Sequence, residues 1–460
     1  MKAVARLLSL LIVLSIFMAA CTPAVTPAPA GPAAPVTQPT TAKPAVSEGK
    51  VDLTFWYWAE SDAPGADKWM ADTVQAYKAV KPNVNITVVA QSTDTLQSAF
   101  QTAVTAGDGP DIASQWATGP VLSYVWQGAL VPVSDYVAPA EMSNWLNMDE
   151  NKYNGKYWGA PMYLIGIGMM YNKDLFAKAG VTPPAGNAQW TWDELLAACE
   201  KFKAASITPW VIGDKNGYQG AWWFANIGIQ GLNSTEELRQ AIIGNKPFTD
   251  ENYTGYYKNL DAMVKKGYFN KDVMSLDLDQ GMRLFGQGKG AMSFATDGMI
   301  KQAETDLGAD KVGVMRMPRW GTGKLADAGN ATQSISFLIT KWSKHPQDAA
   351  DFLTFMHTKE RLTAWYKATG VIAADKRFDR SLVTDPLLNQ MMQWETTGPQ
   401  VWLENFLPGQ VDSDADLVAG QMIFAQNGTP EEAATVWQKT AETWRSQHPD
   451  ELKNWTNWQQ

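Results

Sequence analysis

The stretch from Asn154 to Phe202 constrains the fold more tightly than any other part of the chain. Asn154-Gly155 is a turn signal, and the residues from Ala160 to Tyr171 form an apolar run that reads as a buried strand. A helix is predicted to begin near Asn172, with Leu175 and Phe176 opening its apolar face and Gly180 closing it as a C-cap glycine. A Pro-rich loop leads to Thr191-Trp192-Asp193-Glu194, a capping box in which Thr191 covers the amide of Glu194 and Glu194 reaches back. Behind it Leu195, Leu196, Cys199 and Phe202 fall at helical spacing on one face. The local reading is strand, helix, loop, helix.

At 460 residues the chain is too long for one core, so two lobes or domains are expected. A formal charge of -9 argues against a nucleic-acid binder, whose footprint would be basic. The 21 Trp residues point to aromatic surfaces as well as core, because indoles are large, rigid and stack well.

Lys2 and Arg6 precede an apolar run from Leu7 to Ala20, the layout of a secretory signal and too short for a spanning helix. It ends Phe17-Met18-Ala19-Ala20-Cys21, which resembles the bacterial lipobox and makes Cys21 the expected lipidation site. Several acyl chains there would anchor the chain stably. The bland alternative is plain cleavage beside an incidental cysteine. Thr22 to Ser47 is almost all Ala, Pro and Thr and reads as an extended tether. Cys199 then remains as the single free thiol, a buried small hydrophobe on a helix face.

Further along, Val51 to Trp58 alternates and reads as the first strand, and Asp67 to Lys81 as a helix stopped by Pro82. Asn85 to Val89 is a second strand and Thr95 to Ala106 a second helix. Tyr253 to Lys266 reads as an amphipathic helix ended by Gly267. Trp222 and Trp223 are neighbours, so on a helix they cannot share a face, and one is expected in the core with the other exposed. Gly286-Gln287-Gly288-Lys289-Gly290 lacks the phosphate-cradle spacings and reads as a turn.

The order of these parts resembles the family 1 extracellular solute-binding proteins, the receptors of bacterial ABC sugar importers. The matching pieces are Asn154-Gly155-Lys156, Pro161, Tyr171-Asn172-Lys173-Asp174-Leu175-Phe176, Gly180, Pro184 and Thr191-Trp192-Asp193-Glu194-Leu195. Gly107 to Ile112, Gly128 to Val133, Phe285 to Met292 and Ser343 to Leu353 extend the match over most of residues 50 to 445. The resemblance implies an α/β, periplasmic-binding-protein-like fold of two α/β lobes, joined by hinge strands, with a ligand cleft between them. After a signal at 1–21 and a tether at 22–48, one lobe would comprise 49–160 plus 316–340 and the other 161–315 plus 341–460. Hinges would lie near Pro161, near Met315 to Pro318 and near Thr340.

The residues expected to meet ligand are Trp56, Trp58, Glu60, Gln115, Trp116, Tyr163, Trp222, Trp223, Asp297 and Asn330. Aromatic faces would stack on sugar rings while polar side chains pair with hydroxyls. For each aromatic the bland alternative is core packing, and Asp111 is read as structural. Asp297 departs from the family, which often carries an aromatic there. Trp402 and Phe406 are weaker candidates for a rim over the cleft. The resemblance implies no cofactor or metal, a carbohydrate ligand, ABC permease subunits as partners, and a lipid-anchored monomer on the outer face of the membrane.

Enzyme signatures are sparse. The three histidines, His345, His357 and His448, fall in or beside predicted surface helices, and no HExxH, CxxC or nucleophile elbow occurs. A secreted glycoside hydrolase, needing only two carboxylates across a cleft, is the competing reading. A receptor of the same fold for a polyol or glycerol phosphate is another.

Overall fold

The computed structural model describes residues 49–58, 63–327, 331–395 and 401–458. Cys21, the signal, the tether, Glu60 and Asn330 lie outside them. The first strand, β1 (Val51–Tyr57), is followed by the helix Ala66–Val80, β2 (Val84–Ala90), the helix Thr93–Ala106 and β3 (Ile112–Trp116). β1 pairs in parallel with both β2 and β3, so these helices are the crossovers that parallel pairing requires. Leu53, Phe55 and Tyr57 of β1 are buried, as its alternation predicts. The chain continues through the helix Gly119–Trp126, the short β4 (Leu130–Val131) and a two-stranded hairpin, β5 (Lys152–Tyr153) and β6 (Lys156–Tyr157).

The next strand, β7 (Ala160–Asn172), organises everything else. Nearly every position in it is buried, as its unbroken apolar run predicts for a strand covered on both faces. After it come β8 (Met292–Ala295), β9 (Val312–Met315) and β10 (Ala331–Thr340), and the main sheet runs β2-β1-β3-β10-β7-β8. Ala160 to Ile167 of β7 pair with β10, whereas Gly168 to Asn172 pair with β8 and β9. A single strand therefore changes partners between Ile167 and Gly168 and serves two halves of the molecule.

The local signals after β7 appear where the sequence places them. Asn172 caps the helix Lys173–Ala179, its side chain accepting from the Leu175 amide at 3.1 Å. Gly180 ends that helix at φ 62°, the left-handed conformation that favours glycine. Both bonds of the capping box are made: Glu194 N donates to Thr191 Oγ1 (3.2 Å) and Thr191 N to Glu194 Oε2 (2.7 Å). The predicted helix from Tyr253 to Lys266 is divided into Glu251–Thr254 and Tyr256–Lys265.

Beyond β10 the chain first stays with the β1–β3 side. The helices Pro346–Met356 and Lys359–Thr369 pack there, with Phe352 against Tyr77 (5.0 Å between ring centroids) and Trp365 against Trp69 (5.0 Å). Residues 371–374 then run beside β7, where Leu164 N donates to the Ile372 carbonyl and Ala374 N to that of Met162. His357 departs from its expected surface position. It is 1% exposed, stacked on Trp145 at 4.4 Å, with Nδ1 2.9 Å from Asp375 Oδ2. Arg377 holds the same carboxylate from the other side, which is why this region closes over a histidine.

Candidate functional site

The C-terminal ends of β1 and β3 lie side by side, because the two strands are parallel neighbours. Trp58 follows β1 and Trp116 closes β3, and their rings meet edge to face at 5.6 Å and 73°. Tyr163, on the adjoining part of β7, donates its hydroxyl to the Trp58 carbonyl at 3.2 Å and lies against Trp365 at 4.7 Å. Trp58 and Tyr163 are 3% and 1% exposed, so both are as much core as site, whereas Trp116 is half-buried. Trp56 is half-buried on the opposite face of β1 from Phe55 and Tyr57.

Gln115 is the polar member of this group. It is 0% exposed, and neither amide atom has a hydrogen-bond partner among the described residues. An unpaired buried amide costs about 1–3 kcal/mol, which is tolerated where a ligand supplies the missing bonds. Beside β10, the Glu150 carboxylate accepts from the Ser334 amide (3.1 Å), the Ser334 hydroxyl and Asn147 (2.9 Å). Burial pushes its carboxyl up to about 7.

On the other half, Trp222 and Trp223 are both buried, at 6% and 1% exposure, which corrects the expectation of one exposed indole. Residues 219–226 of the helix Tyr218–Asn226 are buried on every side, so neither face meets water. Trp223 packs on Trp210 (4.8 Å), while Trp222 lies edge-on to Phe294 (5.7 Å) and to Trp402 (6.4 Å). Trp402 donates its indole N–H to Glu404. Phe406 instead stacks on Trp458 at 6.2 Å. These halves meet close to Trp116: a Cβ on Gly119 would stand 2.4 Å from the Asn405 carbonyl oxygen.

Asp297 begins the helix Asp297–Leu307, which Thr296 caps. Its carboxyl is buried and pushed well up, first by burial and then by the nearby Glu395. Burial likewise pushes Glu395 up to about 7. Glu395 presses on β7 beside the partner switch, since a Cβ on Gly166 would lie 2.4 Å from Glu395 Oε1. Asp297 thus sits in an acidic pair that its own sequence context does not announce. Glu150, Glu395 and Glu404 were not singled out from sequence. Their local signal is weak: Glu150 and Glu404 each precede an Asn, and Glu395 has no such neighbour. Among the described residues, no group of three or more carboxylates, histidines or cysteines is arranged to hold a metal ion. No helix among them is long and apolar enough to cross a membrane.

The model of the bacterial extracellular solute-binding protein family matches residues 60–361. The chain belongs to that family. This solute-binding protein is 24% identical over 346 residues to a relative from Brucella abortus, covering 71% of this chain and 77% of the relative, and 23% identical over 353 residues to an ABC transporter extracellular-binding protein of Pyrococcus horikoshii, covering 74% and 75%. A solved structure described under xylan utilization by the thermophile Caldanaerobius polysaccharolyticus superposes with a TM-score of 0.74 at 25% identity, covering 85% of this chain and 99% of that one. A chitin oligosaccharide binding protein gives a TM-score of 0.75 at 21% identity, over 86% and 99% of the two chains. The solute-binding protein therefore has the α/β fold of periplasmic binding proteins, two lobes joined by hinge strands. Its family and structural neighbours are binding proteins.

Proposed function

We propose that this solute-binding protein captures a sugar, an oligosaccharide by preference, between its lobes and hands it intact to an ABC permease. The observation that carries the reading is the group at the ends of β1 and β3: the Trp58–Trp116 pair beside Gln115, a buried amide with both atoms unpartnered. Indoles offer flat apolar faces to the C–H side of a pyranose, and a planar amide pairs with two hydroxyls. Trp222, Trp402 and Asp297 face the ligand from the other lobe in this scheme. The names of the two solved structures, one from xylan utilization and one binding chitin oligosaccharides, support a carbohydrate.

The lobes turn about the point where β7 changes partners, Ile167-Gly168, with 371–374 as a second crossing. Helices 346–369 move with the first lobe, a revision of the division expected from sequence. Ligand acts by favouring the closed arrangement, in which its contacts with both lobes are desolvated. Lipid at Cys21 and the tether behind it keep the receptor at the membrane beside its permease.

Titration calorimetry tests this on a chain starting at Ser47, against mono-, di- and oligosaccharides, with the sugars analysed afterwards. One-to-one binding with the sugar recovered intact is expected. Cleaved sugar would make Asp297 and Glu395 a hydrolase's carboxylate pair, and heat with polyols alone would reassign the solute. Cys21→Ser should release the full chain from membranes.

A further inference from the structure

The second lobe holds a set of acceptor oxygens that no neighbour satisfies. Asp214 and Asn216 lie on the turn before the helix Tyr218–Asn226, while Glu404, Gln410, Asp412 and Asp416 lie on the segment that ends in the π-helical turn Asp412–Asp416. Among the described residues Asp214 Oδ2, Asn216 Oδ1, Glu404 Oε1, Gln410 Oε1, Asp412 Oδ1 and both carboxylate oxygens of Asp416 are buried without a hydrogen-bond partner. The two strips are held face to face. Gln421 Nε2 donates to the Asp214 and Lys215 carbonyls at 3.0 and 2.9 Å, and Gly220 and Gly420 pack backbone to backbone.

Acidity is only part of the pattern. Two neutral amides, Asn216 and Gln410, also leave their oxygens unpaired, and Asp416 is 0% exposed with nothing on either oxygen. On the helix Tyr218–Asn226 the donors left unpartnered are Gln219 Nε2 and Trp223 Nε1, which bring three hydrogens against seven open oxygens. The charges that act on Glu404 and Asp416 are other acids of the set, and no lysine or arginine offsets them. A buried charge needs an opposite charge or a proton. No three of these groups are arranged to hold a metal ion. A guest that only donates, and donates in several directions, is a protonated amine.

The set also reaches the candidate site. Glu404 accepts from the Trp402 indole, and Trp402 touches Trp222. We propose that the captured solute carries a basic nitrogen, an amino sugar in its cationic form, held by the oxygens of Asp214, Asn216, Glu404, Gln410, Asp412 and Asp416. The inference rests on the sugar-binding reading. Burial pushes the carboxyls of Asp214 and Asp412 up to about 7 and those of Glu404 and Asp416 well above their ordinary range, and a guest that brings its own positive charge relieves that penalty.

The test is calorimetry at about pH 6, where a sugar amine is protonated, with glucosamine tetramer and the neutral glucose tetramer of the same linkage. The amine tetramer is expected to bind at least about tenfold more tightly, a difference of about 1.4 kcal/mol. Glu404→Gln and Asp416→Asn, each checked for folding by its melting curve, should shrink that preference by about tenfold. Equal or tighter binding of the neutral tetramer would overturn the inference and leave the sugar reading standing. A preference untouched in both folded variants would overturn it too. Binding of neither tetramer would remove this inference, and failure across the whole sugar panel would remove the sugar reading with it.

Discussion

Trp58 and Trp116 meet edge to face at the ends of neighbouring parallel strands, yet only Trp116 keeps part of its ring open. The pair divides one surface into a support and a platform. Trp116→Ala should weaken sugar binding by at least about tenfold while leaving the melting temperature nearly unchanged, because the ring lost is the open one. Trp58→Ala should instead cost about 3–5 kcal/mol of stability, the price of emptying a buried indole site. Calorimetry and thermal melts on the two variants separate these outcomes. A Trp116→Ala protein that loses stability and keeps its affinity would place Trp116 in the core.

Gln115 makes the opposite prediction for stability. Its amide is buried without partners, so Gln115→Leu, close in size and apolar, removes an unmet polar group. The variant should be as stable as the parent or more stable, by up to about 1–3 kcal/mol, and should bind sugar more weakly. Denaturant unfolding beside calorimetry measures both. A destabilised variant with unchanged affinity would mean that Gln115 satisfies its amide within the protein.

Acid-base behaviour follows from the buried carboxyls. Burial raises Glu150, Asp214, Glu395 and Asp412 to about 7, so the folded protein holds protons that the unfolded chain has released above about pH 4. Stability from these groups is therefore greatest at low pH and falls as pH rises towards about 7. His357, pushed down by burial, acts in the opposite sense and loses stability as pH falls below about 6.5. The raised carboxyls, Asp297, Glu404 and Asp416 among them, outnumber this one histidine, so the melting temperature should drop by several degrees between about pH 5 and about pH 8. Glu150→Gln should flatten the slope. Melting curves across that range decide it, and a rising curve would contradict the buried acids' protonation.

What the sequence discloses here is local. Asn172, Gly180 and the Thr191–Glu194 box act on their own backbone within a few residues, so their helix ends could be placed before any fold was known. The apolar run of β7 signals burial but not its two sets of partners, because pairing with β8, β9 and β10 joins residues more than a hundred positions away. Trp222 and Trp223 mislead for a related reason. Helical geometry puts them on different faces, and only the surrounding elements decide that both faces are covered. Glu395, Glu404 and Asp416 look like ordinary surface acids until distant segments close over them.

Gly166 and Glu395 offer a test of how tightly the partner switch on β7 is built. A methyl group at Gly166 would stand 2.4 Å from Glu395 Oε1 and 2.5 Å from its Cγ, so the glutamate must move for any larger residue to fit. Gly166→Ala should therefore destabilise the protein by about 1–3 kcal/mol through overpacking. Glu395→Ala empties the same space and takes away the neighbour that raises Asp297. In the double variant the new methyl meets no glutamate, so its cost should be smaller than the sum of the two single losses by at least about 1 kcal/mol. Denaturant unfolding of the four proteins completes the cycle. Additive losses would mean that Gly166 is required for the twist of β7 itself and that Glu395 yields without resistance.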